Sequence, residues 1–422
     1  MDSVRVMASP RSPDVGGSAW EVLRAFLRLG CLSFGGPVAH MGYFHTEFVE
    51  RRKWCDEEGF ASLVGLAQAM PGPASSQVGF GLGLLRAGWK GGVAAWVGFT
   101  TPSALLMLAF AFGHRFMAGK TGTGVVHGLQ LVAVAVVAQA ILAMRKSLAP
   151  DGARMGIALV AAAIAFWASP GSGTVLAIAA GALLGLLLRR PPQEEAVKQL
   201  RLAVPKRAGV MAGAMFVLLL AVLPLATRFV SGAGGGEGGG FHSFPAQGVA
   251  VFNAFYRTGA LVFGGGHVVL PLLEGAVVAR GWSDQASFLA GYGAAQAVPG
   301  PLFTFAAYLG ATIQPALHPA ALGVLALVAI FLPGVLIIVA VLPFWNELRQ
   351  RRQIQAMFRG VNAAVVGVLI SAFIRPVWAS AVHSAFDLVV ALAAFALLVG
   401  WKVSPWIIVV GVAGVSAIAA VL

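Results

Sequence analysis

A hydrocarbon layer about 30 Å thick is crossed by roughly 20 apolar residues of helix, and lipid leaves a single open chain segment no other way to satisfy its backbone. This sequence repeats apolar stretches of that length almost from end to end. About thirteen segments can be read on this criterion. They lie near 19–41, 60–85, 90–113, 124–148, 153–169, 172–188, 208–230, 248–273, 285–312, 318–345, 358–376, 381–400 and 404–422. The pairs 153–169 with 172–188 and 381–400 with 404–422 are joined by short Pro/Gly breaks and read equally as tight hairpins. Segments 19–41 and 248–273 are interrupted by glycines, so each either spans or re-enters. Composition agrees: 58% of residues are apolar and 11% charged, against about 25% charged in soluble domains. The fold class is an all-α polytopic membrane protein, with the lipid bilayer as its first partner.

Polar stretches divide the chain. Residues 1–18 are rich in Ser, Pro and Gly and read as a flexible cytoplasmic tail without the pattern of a cleavable signal peptide. Residues 19–188 form one half, 189–207 a polar cytoplasmic linker, 208–230 a connecting helix, 231–247 a glycine-rich periplasmic loop, and 248–422 the other half. Of the 29 Lys and Arg residues, most fall on one side if the N-terminus is cytoplasmic and the C-terminus periplasmic, as the positive-inside bias requires. Arg51, Arg52 and Lys53 are the main exception. The net charge of +13 therefore describes topology, and nucleic-acid binding is not indicated. Cys31 and Cys55 build neither a disulfide framework nor a CxxC metal site, and no metal or cofactor is expected.

The halves are related. FLRLGCLSFGGPVAH (26–40) matches FYRTGALVFGGGHVV (255–269), and RKWCDEEGFASLVGLAQAMPGP (52–73) matches RGWSDQASFLAGYGAAQAVPGP (280–301). Weaker echoes pair Pro102 with Pro333 and GLQLVAVAVV (128–137) with GVNAAVVGVL (360–369). With six segments per half, the single helix 208–230 reverses the second half. That makes inverted repeats about a pseudo-two-fold axis in the membrane plane, an arrangement common among secondary transporters. One miscounted helix would make the repeats parallel instead.

Each half contains two helix breaks. Gly35-Gly36-Pro37 and Gly264-Gly265-Gly266 free backbone N–H groups, while Pro71-Gly72-Pro73 and Pro299-Gly300-Pro301 must interrupt a helix. Such breaks either ease helix packing or line a watery cavity, and their pairing by the repeat favours a site. Helix N-termini beginning there suit an oxyanion. Arg28 and Arg257 occupy matching places before the glycines, where a guanidinium fork would suit a tetrahedral anion. Gln68 and Gln296, three residues before each Pro-Gly-Pro, offer amide donors. His40 and His267 follow the glycine breaks at unmatched positions, and Glu47 and Glu274 are acids near the membrane edge. These four are candidates for carrying a proton, with structural histidines and solvated carboxylates as the alternative. No Walker A, GxSxG or HExxH pattern is present, so neither ATP drive nor enzyme chemistry is indicated.

Phe34-Gly35-Gly36-Pro37-Val38-Ala39-His40, the downstream Arg52-Lys53-Trp54 and the repeated Gln-Ala-x-Pro-Gly-Pro resemble the chromate ion transporter family in its long, two-half form. The resemblance covers nearly the whole chain from about residue 20. It implies a bacterial inner-membrane carrier that exports chromate and confers chromate resistance, with sulfate as a competitor because both are tetrahedral dianions; a carrier of sulfate or another anion on the same scaffold is the alternative. A second copy of the chain is a candidate partner. The second half departs from the first by having Gly266 where Pro37 stands and by the shifted histidine.

Overall fold

The computed structural model describes residues 16–113, 119–168, 172–187, 204–232, 243–263, 266–314, 317–348 and 350–422. Most of the tail 1–18, of the linker 189–207 and of the loop 231–247 lies outside the described residues, as do Gly264 and Gly265. Among the described residues the chain is helical, without strands.

α1 (Ala19–Leu32) starts behind Ser18, whose hydroxyl accepts the Glu21 N–H at 3.1 Å. It stops at Ser33–Gly35, and α2 (Gly36–Phe44) then runs into a π-helical turn, His45–Arg51. Phe26 stacks on Phe48 with ring centroids 4.7 Å apart. A straight helix would hold those two residues about 33 Å apart, so the segment folds back on itself. α3 (Glu57–Ala69) and the first arm of α4 (Ala74–Gly113) do the same around Pro71–Pro73, because a Cβ on Gly81 would lie 2.7 Å from Leu63. α4 turns once more where Ala87 and Gly88 leave helical angles, and this brings Gly83 against Gly91 and Phe80 against Gly92. Its second arm then crosses the bundle. α5 (Gly119–Leu148), α6 (Gly152–Trp167), α7 (Ser172–Leu187) and α8 (Lys206–Gly232) complete the first half and the connection.

The second half repeats the plan. α9 (Phe244–Leu261) and α10 (Val269–Val277) pack together as one hairpin. α11 (Gln285–Ala295) and α12 (Phe305–Thr312) form the next, where Tyr308 Oη donates to the Ser287 carbonyl at 3.0 Å. α13 (Pro319–Val341), the short α14 (Trp345–Leu348), α15 (Arg352–Ala372) with its π-helical end Phe373–Trp378, α16 (Ala379–Ala381), α17 (Ala385–Val399) and α18 (Pro405–Ala419) follow.

Segments 60–85 and 285–312, which read as spans, are thus folded hairpins, and 19–41 and 248–273 re-enter. Hydropathy measures how much apolar chain is present but not its direction. α3, with 13 residues, rises only about 20 Å and falls short of a crossing. Five helices among the described residues are long and apolar enough to cross a membrane, α4 and α5 in the first half, α8 between, and α13 with α14 and α15 with α16 in the second, so one odd crossing separates the halves and they are opposed. Direct contacts agree. α5 packs on its repeat equivalent α15, and His127 near the start of α5 lies 2.7 Å from Asp387, which follows the end of α15. The two helices are therefore antiparallel.

Two further pairings carry the repeat into three dimensions. Gly30 of α1 lies against the backbone of Gly98 and Phe99, and its equivalent Gly259 of α9 lies against Ile330, the equivalent of Phe99. The terminal pairs are exchanged: α6 and α7 pack on α15 of the other half, and α17 and α18 pack on α5. Two of the close approaches are again equivalent, Gly128 with Ala413 and Gly360 with Gly181. Small residues at these crossings let backbones touch, which is how helices associate where lipid removes the hydrophobic drive.

The fold-back also moves charge. Arg51, Arg52 and Lys53 end beside Arg86, with Arg52 and Arg86 both over Trp54 and Glu21 paired to Arg86 at 3.2 Å. That end of the bundle also holds Lys90, Arg145, Lys146, Arg154, Lys206, Arg207 and Arg352. Lys120, Arg228, Arg280 and Arg375 lie at the other. The exception in the sequence-derived topology disappears, and Arg280 changes sides.

Because the Gly360–Gly181 approach leaves no room for a side chain, Gly360→Leu should destabilise the exchanged contact by about 3 kcal/mol or more. Thermal unfolding in detergent should show a clear fall in Tm for Gly360→Leu. The exposed Gly411→Leu, whose added Cβ would meet nothing within 4 Å, should change Tm little.

Candidate functional site

The tips of the hairpins meet at the centre. The Gly72 N–H donates to the Val262 carbonyl at 2.7 Å, and the Gly300 N–H donates to the Ser33 carbonyl at 2.8 Å. Gly72 is equivalent to Gly300, and Ser33 to Val262, so these bonds exchange under the pseudo-two-fold. Gly72 also lies against Gly334, and Gly300 against its equivalent Ser103. Pro37 lies 3.6 Å from where a Cβ on Gly266 would stand. Those two are equivalents of each other, and a residue that touches its own equivalent marks the axis.

The geometry explains the glycines. Gly72 and Gly300 have φ of 122° and 95°, a left-handed backbone that other residues adopt only under strain. The flanking Pro71, Pro73, Pro299 and Pro301 are buried. Around the junction, α2, α4, and the 3-10 turns leading into α10 and α12 all begin. Four helical N-termini, with their free N–H groups, therefore face one region.

The other expected residues divide. His40 is buried, with Nε2 3.2 Å from the Ser33 carbonyl, and so stands at the junction. His267 is half-buried and its Nδ1 meets Tyr292 Oη at 2.8 Å. Gly35 is exposed with φ 99°, and Gly36 follows at the start of α2. Arg28 is not at the junction. It is exposed and lines a groove of about 540 Å³ between α1 and α2 with Tyr43, Glu47 and Arg51. Arg257 is also exposed, near Arg280; partial burial, and then the Arg257 charge, lower the Arg280 guanidinium below its ordinary value. Gln68 is exposed, and Gln296 Nε2 donates to the Tyr292 carbonyl of its own turn, at 3.4 Å. Glu47 clamps Arg51 at 2.7 Å and Arg52 at 2.6 Å. Glu274 lines a separate cavity of about 310 Å³ with Thr174, Ser371 and Arg375.

Sequence reasoning missed Gln77. Its Nε2 donates to Pro71 O at 2.9 Å and to Gly334 O at 3.0 Å, tying one tip to the other half. The repeat hid it, because Phe305 stands at the matching place. It also missed Ser33 and Ser103, which meet the Gly300 tip, and Thr100, whose carbonyl accepts from Ser103 Oγ; none had a polar counterpart to draw attention.

A bundle of opposed halves whose broken helices meet on the axis has the architecture of a secondary carrier. The Chromate transporter family model matches residues 20–186 and 249–418, and the chain belongs to that family. It is 30% identical over 385 residues to a chromate transport protein of Cupriavidus metallidurans, covering 87% of each chain. It is 29% identical over 357 residues to a probable chromate transport protein of Synechococcus elongatus, covering 84% of this chain and 83% of that one. A chromate transport protein of Pseudomonas aeruginosa is 27% identical over 360 residues. No solved structure matches.

Since the two tip bonds are equivalent, Gly72→Ala and Gly300→Ala should behave alike. Each forces a side chain into the left-handed region at a cost of about 1–3 kcal/mol, and each should lower Tm by a similar amount. Unfolding of both variants side by side checks this, and a large drop for one alone would contradict the symmetry.

Proposed function

We propose that this chain is a secondary carrier that exports chromate across the bacterial inner membrane. The observation that carries the reading is the meeting of four helical N-termini on the axis between two opposed halves of a chromate transporter family member. Free N–H groups and the positive ends of helix dipoles stabilise an anion without a metal or a fixed cation. In this reading residues 19–188 and 248–422 are the two carrier halves, joined by a cytoplasmic linker 189–207, the crossing helix 208–230 and a periplasmic loop 231–247. The basic end of the bundle is cytoplasmic, the N-terminus lies inside and the C-terminus outside.

The anion contacts assigned to the junction are the turns that begin at Gly35, Gly36 and Pro37 and at Gly266, with His40 beside them, while Gly72 and Gly300 latch the tips; Gly264 and Gly265, outside the described residues, remain candidates from the sequence. Pro71, Pro73, Pro299 and Pro301 hold the tips in shape. Arg28 and Arg257, on the outer flanks of α1 and α9, draw the anion towards the tips and do not hold it. Outward movement of a dianion past an inside-negative potential is favourable by about 2.3 kcal/mol per charge per 100 mV. Transport chemistry of this kind needs no covalent step, and the chain acts as a carrier and not an enzyme.

Inverted vesicles containing the chain should accumulate labelled chromate when the potential is set positive inside the vesicle, with sulfate as the competitor to test. Absence of accumulation under any imposed potential or pH gradient would sink the reading. Arg257→Ala should lower the initial rate at low ionic strength by on the order of 10-fold and lose most of that deficit in high salt. A deficit that ignores salt would place the arginine in direct contact with the anion.

A further inference from the structure

The tip junction is symmetric in its backbone but not in its side chains. Gly300 meets Ser33 and Ser103, with His40 on the Ser33 carbonyl and Thr100 one turn from Ser103 on α4. His40 is edge-on to Phe99, with ring centroids 5.2 Å apart, and Ser103 Oγ donates to the Thr100 carbonyl at 3.0 Å. The equivalents around Gly72 are Val262, Val269, Phe331 and Gly334. The surroundings of Gly300 are therefore polar and those of Gly72, apart from Gln77, apolar. On the polar side Ser33 Oγ, Thr100 Oγ1 and His40 Nδ1 are each buried without a hydrogen-bond partner among the described residues. Buried polar atoms nearly always have a protein or water partner, so these three leave places for a hydrogen-bonding guest.

The His40 ring narrows the guest. A carbonyl only accepts, so the nitrogen facing Ser33 O carries the hydrogen, and a neutral ring then presents Nδ1 as an acceptor. Charges on the surrounding elements are turned away. On α1, Arg24 and Arg28 are exposed and Glu21 pairs with Arg86 of α4; Cys31 is exposed too. Lys90 of α4 is exposed at the bundle end, and Glu47 beyond α2 is held by Arg51 and Arg52. Residues 296–304 carry no titratable side chain.

We propose that His40 selects the singly protonated form of a tetrahedral oxyanion, hydrogen chromate, with Nδ1 accepting the anion's O–H and the Ser33 and Thr100 hydroxyls donating to its other oxygens. The inference rests on the reading of the chain as a chromate carrier. The same complex forms if the dianion meets a ring already protonated at Nδ1. Either way one proton enters with one dianion, and the pair carries one net negative charge. Chromate takes up its first proton near neutrality, whereas sulfate does so only in strong acid. The arrangement thus separates two anions of like shape and charge by their proton affinity, which shape alone could not do.

The test measures initial rates of labelled chromate uptake into inverted vesicles at clamped potential, with excess sulfate as competitor. The KM for total chromate should rise about tenfold per pH unit above neutrality, and sulfate should compete at least about tenfold more weakly than unlabelled chromate. His40→Gln should flatten the pH dependence and narrow the preference over sulfate, and Thr100→Val should raise KM while keeping the pH slope. A flat wild-type KM, or sulfate competing as well as chromate at neutral pH, overturns the proposal. These wild-type readouts decide the matter even if His40→Gln fails to accumulate in the membrane. Vesicles that take up no chromate at any pH would instead defeat the carrier reading itself.

Discussion

Two reciprocal hydrogen bonds join the hairpin tips of the two halves, from the Gly72 N–H to Val262 O and from the Gly300 N–H to Ser33 O. A chain that stops and turns inside a bilayer leaves backbone groups without intrahelical partners, and lipid supplies none. Here each half satisfies the broken tips of the other. The halves are consequently obliged to meet tip to tip, and the positive ends of four helices are brought to one place because the tips are. The exchanged packing of α6–α7 on α15 and α17–α18 on α5 closes the assembly from outside, so that neither half completes its own fold.

This dependence lets the junction be a structural keystone and also the site proposed above. The donors that latch the tips are single N–H groups at Gly72 and Gly300. The N-termini that begin around them keep further N–H groups directed at the same region. Motion of one half against the other need only alter which flank of the junction is covered, as expected where opposed repeats alternate. The substitution of Gly266 for Pro37 on the axis, and of apolar residues for Ser33, His40, Thr100 and Ser103, breaks the symmetry of side chains without disturbing that of the backbone.

Much of this was legible in the sequence. The duplication, the opposed halves and the breaks could be read from matched motifs, because Gly-Gly and Pro-Gly-Pro disrupt helices wherever they occur. The doubling back of 60–85 and 285–312 could not, since an apolar hairpin and an apolar span share a composition and differ only in contacts such as Leu63 with Gly81. Arg28 and Arg257 were read as central because intramembrane charge usually faces inward. In the folded chain they sit on outward flanks, where re-entrant arms are too short to bury them. Ser33, Thr100 and Gln77 were passed over for the opposite reason, being ordinary residues made special only by what packs on them.

The central claim is that the two halves touch on their own axis. Pro37→Cys combined with Gly266→Cys, in a chain lacking Cys31 and Cys55 and carrying a protease site in the linker 189–207, tests it in native membranes. After mild oxidation and cleavage the account predicts that the halves remain joined until reductant is added. Halves that separate freely under oxidising conditions would contradict it.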